Sequence, residues 1–170
     1  MAFMPVFGLN NGMIPIISYN YGAQRPDRMK RTMKLGVMVG CSIMLFCLVI
    51  MQAFPGQILK IFDATDDMLS MGIPAVRIMS TAFIFAGFSV TCSGMFQAVG
   101  KGVYSMIVSM ARQLFVILPV AYFLSKAMNS VNGVWTAFPI AEIFSVIIST
   151  FLLLRVYKKI VKPLERGQIE

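Results

Sequence analysis

The chain has 170 residues, 58% of them hydrophobic and 13% charged, with a formal net charge of +8. A soluble domain carries about 45–50% apolar and about 25% charged residues, so this composition excludes an ordinary water-soluble globule and points to hydrocarbon as the solvent. A nucleic-acid surface is excluded by where the cations sit. Arg25, Arg28, Lys30, Arg31 and Lys34 form one cluster and Arg155, Lys158, Lys159, Lys162 and Arg166 another, each flanking an apolar stretch where charge sets membrane topology.

A helix that crosses about 30 Å of hydrocarbon needs roughly 20 mostly apolar residues. The first segment that qualifies runs from Ala2 to Tyr19. Asn10, Asn11, Pro15 and Ser18 make it a broken, polar-faced span, and Asn20 to Ala23 form its structural exit. The connector from Gln24 to Lys34 then holds five cations and one acid. The second span, Leu35 to Phe54, reads LGVMVGCSIMLFCLVIMQAF and carries no charge, with Gly36 and Gly40 four residues apart. A connector from Pro55 to Gly72 sets Lys60 against Asp63, Asp66 and Asp67.

The third span is Ile73 to Val99, where Ser80, Gly87, Thr91, Gly94 and Ala98 share one face. Small faces let helix backbones approach closely, which implies a bundle and not isolated anchors. A Gly100 to Gly102 turn with Lys101 leads to the fourth span, Val103 to Leu124. The Ser125 to Ser130 connector leads to the fifth, Val131 to Leu154, and a basic tail occupies residues 155–170. The expected fold is all-α, a single transmembrane region over residues 1–170 with five spans. Cations gather on alternate sides, so the first connector, the Gly100 to Gly102 turn and the C-terminus are expected in the cytoplasm. No charged leader or cleavage site follows Met1, so insertion is expected to rely on the spans. Cys41, Cys47 and Cys92 lie inside apolar runs with no metal-ligand spacing and read as packing residues.

Charges within spans are expensive and mark function by default. Arg77 is shallow enough to snorkel to the outer interface. Arg112 is the tenth residue of the 22-residue fourth span and Glu142 the twelfth of the 24-residue fifth, so both belong near the midplane of antiparallel neighbours and are expected to pair. Ser105 and Ser109 precede Arg112 at helical spacing, while Ser145 and Ser149 follow Glu142. Two readings of these stripes stand: they satisfy buried charge, or they line a water-filled cavity in which Glu142 titrates. Pro15, Pro119 and Pro139 each free a backbone carbonyl inside a span, a feature of transporters with interrupted helices. Fifteen methionines and fourteen phenylalanines supply adaptable apolar surface. The chain has no His, no HExxH and no phosphate-binding Gly-rich loop, which argues against an enzyme.

The stretch GLNNGMIPIISYNYGA resembles the eighth helix of the multidrug and toxic compound extrusion (MATE) transporters, and MFQAVGKG resembles the end of their tenth. SMARQLFVILPVAYFL is similar to their eleventh helix and NGVWTAFPIAEIFSVIIST to their twelfth. The resemblance implies the last five helices of a twelve-helix, two-lobed transporter of the bacterial inner or plasma membrane. The N-terminal lobe and the seventh helix would then be the missing partners. It further implies export of cationic drugs or toxic compounds by Na+ or H+ antiport, with no cofactor. Some members carry an acidic cation ligand on the tenth helix, whereas Ile73 to Val99 contains no Asp or Glu. The residues expected to line a central cavity are Asn11, Ser18, Met95, Gln97, Arg112, Gln113 and Glu142. A lipid-linked oligosaccharide flippase of related fold and a non-transporting structural subunit remain as alternatives. A fragment of five helices is expected to be unstable without the rest of its lobe.

Overall fold

The computed structural model describes residues 3–128 and 132–165. Ala2 and Val131 at the starts of the expected first and fifth spans, residues 129 and 130 of the last connector, and residues 166–170 of the tail lie outside the described residues. Every element among the described residues is helical: α1 (Met4–Gly22), α2 (Pro26–Ala53), α3 (Pro55–Ile61), α4 (Asp66–Ser80), α5 (Phe83–Ala98) and α6 (Gly102–Met110). A π-helical turn (Ala111–Ile117) then joins α6 to α7 (Leu118–Met128). Beyond it α8 (Asn132–Val156) runs through a second π turn (Tyr157–Val161) into α9 (Lys162–Glu165).

The chain is a multi-pass transmembrane helical bundle. Pro26–Ala53, Gly102–Ala127 and Gly133–Glu165 are each long and apolar enough to cross a membrane, and α4 with α5 makes a fourth crossing if the pair, bent by 53°, is one span. By the same measure α1 is not among them, because Asn10, Asn11 and Asn20 dilute a helix of 19 residues. Length and composition therefore support three or four of the five expected crossings. Phe46, Phe123 and Phe151 are exposed on α2, α7 and α8. In hydrocarbon such side chains cost nothing, so the apolar interior and apolar exterior coexist.

Helix boundaries depart from the hydropathy limits at instructive places. The Gln24 to Lys34 segment is not a loop, since α2 starts nine residues before Leu35 and only residues 23–25 connect it to α1. Pro26 sits in the first turn of α2 with its φ already helical, and Asp27 complements the positive end of the helix dipole. Hydropathy marks where the apolar stretch begins, and here the helix begins earlier. The same holds at the other end, where the basic tail is helical through Glu165. Its Val156, Ile160, Val161 and Leu164 join Met13, Ile17, Met29 and Phe96 in the main buried cluster.

The expected interruption of α1 is absent: Pro15 lies inside a continuous helix, as does Pro139 in α8. The real break falls at residues 81 and 82, where no proline stands. Ser80 Oγ donates to the Arg77 carbonyl at 3.1 Å and Thr81 Oγ1 to the Ile78 carbonyl at 2.7 Å. Those two carbonyls would otherwise serve the N–H groups of Thr81 and Ala82, which turn back three residues instead. Gln52 of α2 inserts at the same point, its Nε2 donating to the Arg77 carbonyl at 2.9 Å and to Ser80 Oγ at 3.1 Å. Side-chain competition for the helix ladder is thus the cause of the bend.

Small residues set the packing of α1, α2 and α5. A Cβ on Gly40 would lie 2.5 Å from Thr91 Oγ1, and one on Gly87 would lie 3.1 Å from the Gly40 carbonyl. The expected faces of the second and third spans therefore meet each other. Gly94 faces α1 instead, where a Cβ would lie 2.7 Å from Asn10 Oδ1.

Candidate functional site

Two polar side chains tie α1 to α5. Asn10 Nδ2 donates to the Val90 carbonyl at 2.9 Å, and Ser18 Oγ donates to the Ala98 carbonyl at 2.8 Å. The donors are eight residues apart on α1 and the acceptors eight apart on α5, so the two helices run parallel. Asn10 is 8% exposed, and its Oδ1 has no partner among the described residues.

Above this seam lies a cleft of about 300 Å³. One wall is the α5 stripe Ser89, Ser93 and Gln97, spaced by four. The facing wall is Ser105, Ser109 and Arg112, which continue from α6 into the π turn, and Asn10 and Asn11 of α1 complete it. Gln97 Nε2 donates to Ser105 Oγ at 3.2 Å across the opening. The lining holds one charge, Arg112, and no carboxylate. A second cleft of about 300 Å³ adjoins the first, sharing Phe7, Val90 and Arg112. It is mostly apolar, with Phe3 and Phe138 on its walls and Arg112, Gln113 and Glu142 as its polar members.

Arg112 stands between the two clefts. Its Nη1 donates to Glu142 Oε1 at 2.7 Å, with the arginine side chain 25% exposed and the glutamate 11%. Pro119 follows the π turn on which Arg112 sits; it has no N–H for the Phe115 carbonyl, and its ring crowds that carbonyl, so a wider turn relieves the clash. Widening also re-aims the side chains of residues 111–117 relative to an α-helix. The pair is only partly satisfied: Arg112 Nε and Glu142 Oε2 are buried without a partner among the described residues, as are Ser145 Oγ and Ser149 Oγ further along α8. A half-used ion pair in a low-dielectric setting gains much from any additional partner.

Of the residues expected in a cavity, Asn11, Gln97 and Arg112 line the polar cleft, and Gln113 and Glu142 line the apolar one. Ser18 is spent on the Ala98 carbonyl, and Met95 is 1% exposed within the core. Asn10, Ser89 and Ser93 are lining residues that sequence reasoning misses. The Ser89, Ser93, Gln97 spacing is legible in the sequence, but the small-residue face beside it gives the stronger periodic signal. Arg77 is exposed on α4. Among the described residues no cluster of three or more His, Cys, Asp or Glu is placed to hold a metal ion.

A bundle of apolar helices around a polar cleft and a half-buried ion pair is the architecture of a multi-pass membrane protein. The family model described as MatE matches residues 1–123, and the chain belongs to that family. The multidrug export protein MepA of Staphylococcus haemolyticus is 25% identical over 148 residues, which are 87% of this chain and 32% of MepA. The solved structure of the MATE multidrug transporter DinF-BH, a ligand complex, is 31% identical, covers 94% of this chain and 35% of its own, and superposes with a TM-score of 0.83. An inward-facing MATE family transporter of the MOP superfamily shares the fold at 20% identity, with a TM-score of 0.86 over 99% of this chain and 38% of its own. The chain spans about a third of the length of these proteins. They are transporters and not enzymes.

Proposed function

We propose that this chain forms the C-terminal part of a larger exporter that moves cationic drugs or toxic compounds by antiport against Na+ or H+, in partnership with an N-terminal lobe. The observation that carries this reading is the Arg112 and Glu142 pair on the wall common to a hydrogen-bonding cleft and an aromatic one. Loading Glu142 with a proton or Na+ neutralises its carboxylate and releases the Arg112 guanidinium, whose charge then drives a cationic substrate out of the cleft. Unloading restores the pair and readmits substrate. Asn11, Gln97 and Gln113 supply hydrogen-bond groups along the path, while Ser18 and Met95 hold α1 and α5 in place. The parallel course of α1 and α5 supports alternate crossings, with the basic segments and the C-terminus on the cytoplasmic side of a bacterial inner or plasma membrane.

Ethidium, a permanently cationic and fluorescent aromatic dye, is a suitable probe. Cells expressing the intact protein are expected to extrude the dye only while a proton or sodium gradient is maintained, and Glu142→Gln is expected to abolish that dependence. Absence of gradient-dependent efflux by normally inserted protein would overturn the proposal.

A further inference from the structure

A third cavity, of about 360 Å³, opens where α1 ends, α5 turns into α6 and α8 passes from its apolar stretch into the basic one. Lys101, Arg155 and Lys159 line it with the phenols of Tyr21 and Tyr104, and no lining residue is acidic. None of the three cations has a side-chain partner among the described residues. Among the described residues no carboxylate is left to neutralise them. Asp27 and Glu165, the two described carboxylates at this end, are both taken by Lys30, and Glu142 is held by Arg112. Asp63, Asp66 and Asp67 belong to the α3 and α4 region at the far end of α2.

The cavity walls are fixed. Gly100 takes the left-handed φ of +72° and directs the Lys101 N–H to the Phe96 carbonyl at 2.7 Å. Tyr104 packs edge-on against Phe96 with ring centroids 6.0 Å apart. Arg155 and Lys159 are one helical turn apart, and the Val156 and Ile160 beside them are anchored in the core. Three exposed cations without a carboxylate partner among the described residues, carried on this fixed backbone beside two phenol donors, form a receptor for a phosphate group, the arginine offering a planar fork and the lysines point charges. Apolar side chains within about one helical turn of the lining residues are exposed: Val103, Phe151 and Leu154. That arrangement suits a ligand with a charged head and hydrocarbon chains.

We infer that the cavity between Tyr21, Lys101, Tyr104, Arg155 and Lys159 binds the phosphate headgroup of an anionic phospholipid. The test uses the intact protein in detergent micelles doped with phosphatidic acid or with phosphatidylcholine, with lipid retained after washing read by native mass spectrometry. Phosphatidic acid is expected to be retained in preference to phosphatidylcholine. Removing one cation is expected to weaken retention about fivefold, and the triple variant Lys101→Gln, Arg155→Gln, Lys159→Gln roughly a hundredfold. A control triple of equal charge loss outside the cavity, Arg31→Gln, Lys158→Gln, Lys162→Gln, is expected to change it less than about twofold, as diffuse surface charge is screened. Equal losses in the two triples would overturn the site in favour of diffuse attraction. Competition by glycerol phosphate or inorganic phosphate as strong as that by phosphatidic acid would overturn the lipid as its source. Should the triple variant not yield monodisperse protein, Arg155→Gln and Lys159→Gln singly decide the matter, and unchanged retention in both would overturn the inference.

Discussion

The α1, α2 and α5 seam and the contact between the π turn and α8 solve the same problem, helix association in hydrocarbon, by opposite means. In the first, glycines at 36, 40, 87 and 94 bring backbones together, and Asn10 and Ser18 each give a hydrogen bond to a carbonyl of the neighbouring helix. In the second, an ion pair joins the segments and leaves two of its own polar atoms, Arg112 Nε and Glu142 Oε2, without partners among the described residues. Close packing has few alternative arrangements, because any shift loses many small contacts at once. An ion pair with unused donors and acceptors has a second stable arrangement as soon as another charged or polar group arrives. The contrast assigns rigidity to one region and response to the other.

The sharpest way to break this contrast is to remove one half of the pair. Glu142→Leu leaves the half-buried Arg112 guanidinium unpaired, and a loss of up to about 3 kcal/mol is expected in the unfolding free energy of the purified protein. The double variant Arg112→Leu, Glu142→Leu is expected to recover most of that loss while remaining inactive in efflux. A double variant that still transports would reduce the pair to packing. Gly40→Leu tests the other region: its side chain must displace Thr91 and the Gly87 backbone, at a cost of about 1–3 kcal/mol visible as a lower melting temperature. Unchanged stability would show that the seam is plastic.

Smaller effects sharpen the picture. Asn10→Ala is expected to cost about 1 kcal/mol and Ser18→Ala about 0.6 kcal/mol. The two lie about 12 Å apart along α1, so their effects should add in the double variant. Marked non-additivity in denaturation would indicate that α1 moves as a unit on α5. The smallest effect belongs to Lys30→Gln, which removes an exposed pair with Glu165 and Asp27. Stability is expected to stay within measurement error, because surface pairs contribute little. A clear loss would mean that the ion pair, and not Val156, Ile160, Val161 and Leu164, docks the C-terminal helix.

Much of this molecule is legible in its sequence, because a chain whose solvent is hydrocarbon must declare its helices in long apolar runs and anchor them with flanking cations. The all-α bundle, the small faces at Gly36 and Gly40 and at Gly87 to Ala98, and the pairing partners Arg112 and Glu142 all follow from that constraint together with helical periodicity. Hydropathy is blind to helix that continues into charged sequence, so α2 before Leu35 and the helix through Glu165 read as connector and tail. It is equally blind to competition for backbone carbonyls, which is why prolines suggest breaks in α1 and α8 while the bend falls at Ser80 and Thr81. Only the tertiary structure decided which polar residues share a cleft, since Asn10, Ser93 and Arg112 lie on three segments whose relative rotation is set by a π turn and a glycine seam. It also gathered Lys101, Arg155 and Lys159 around one cavity. Spacing along a chain fixes what shares a face of one helix, whereas convergence of faces depends on how the helices pack.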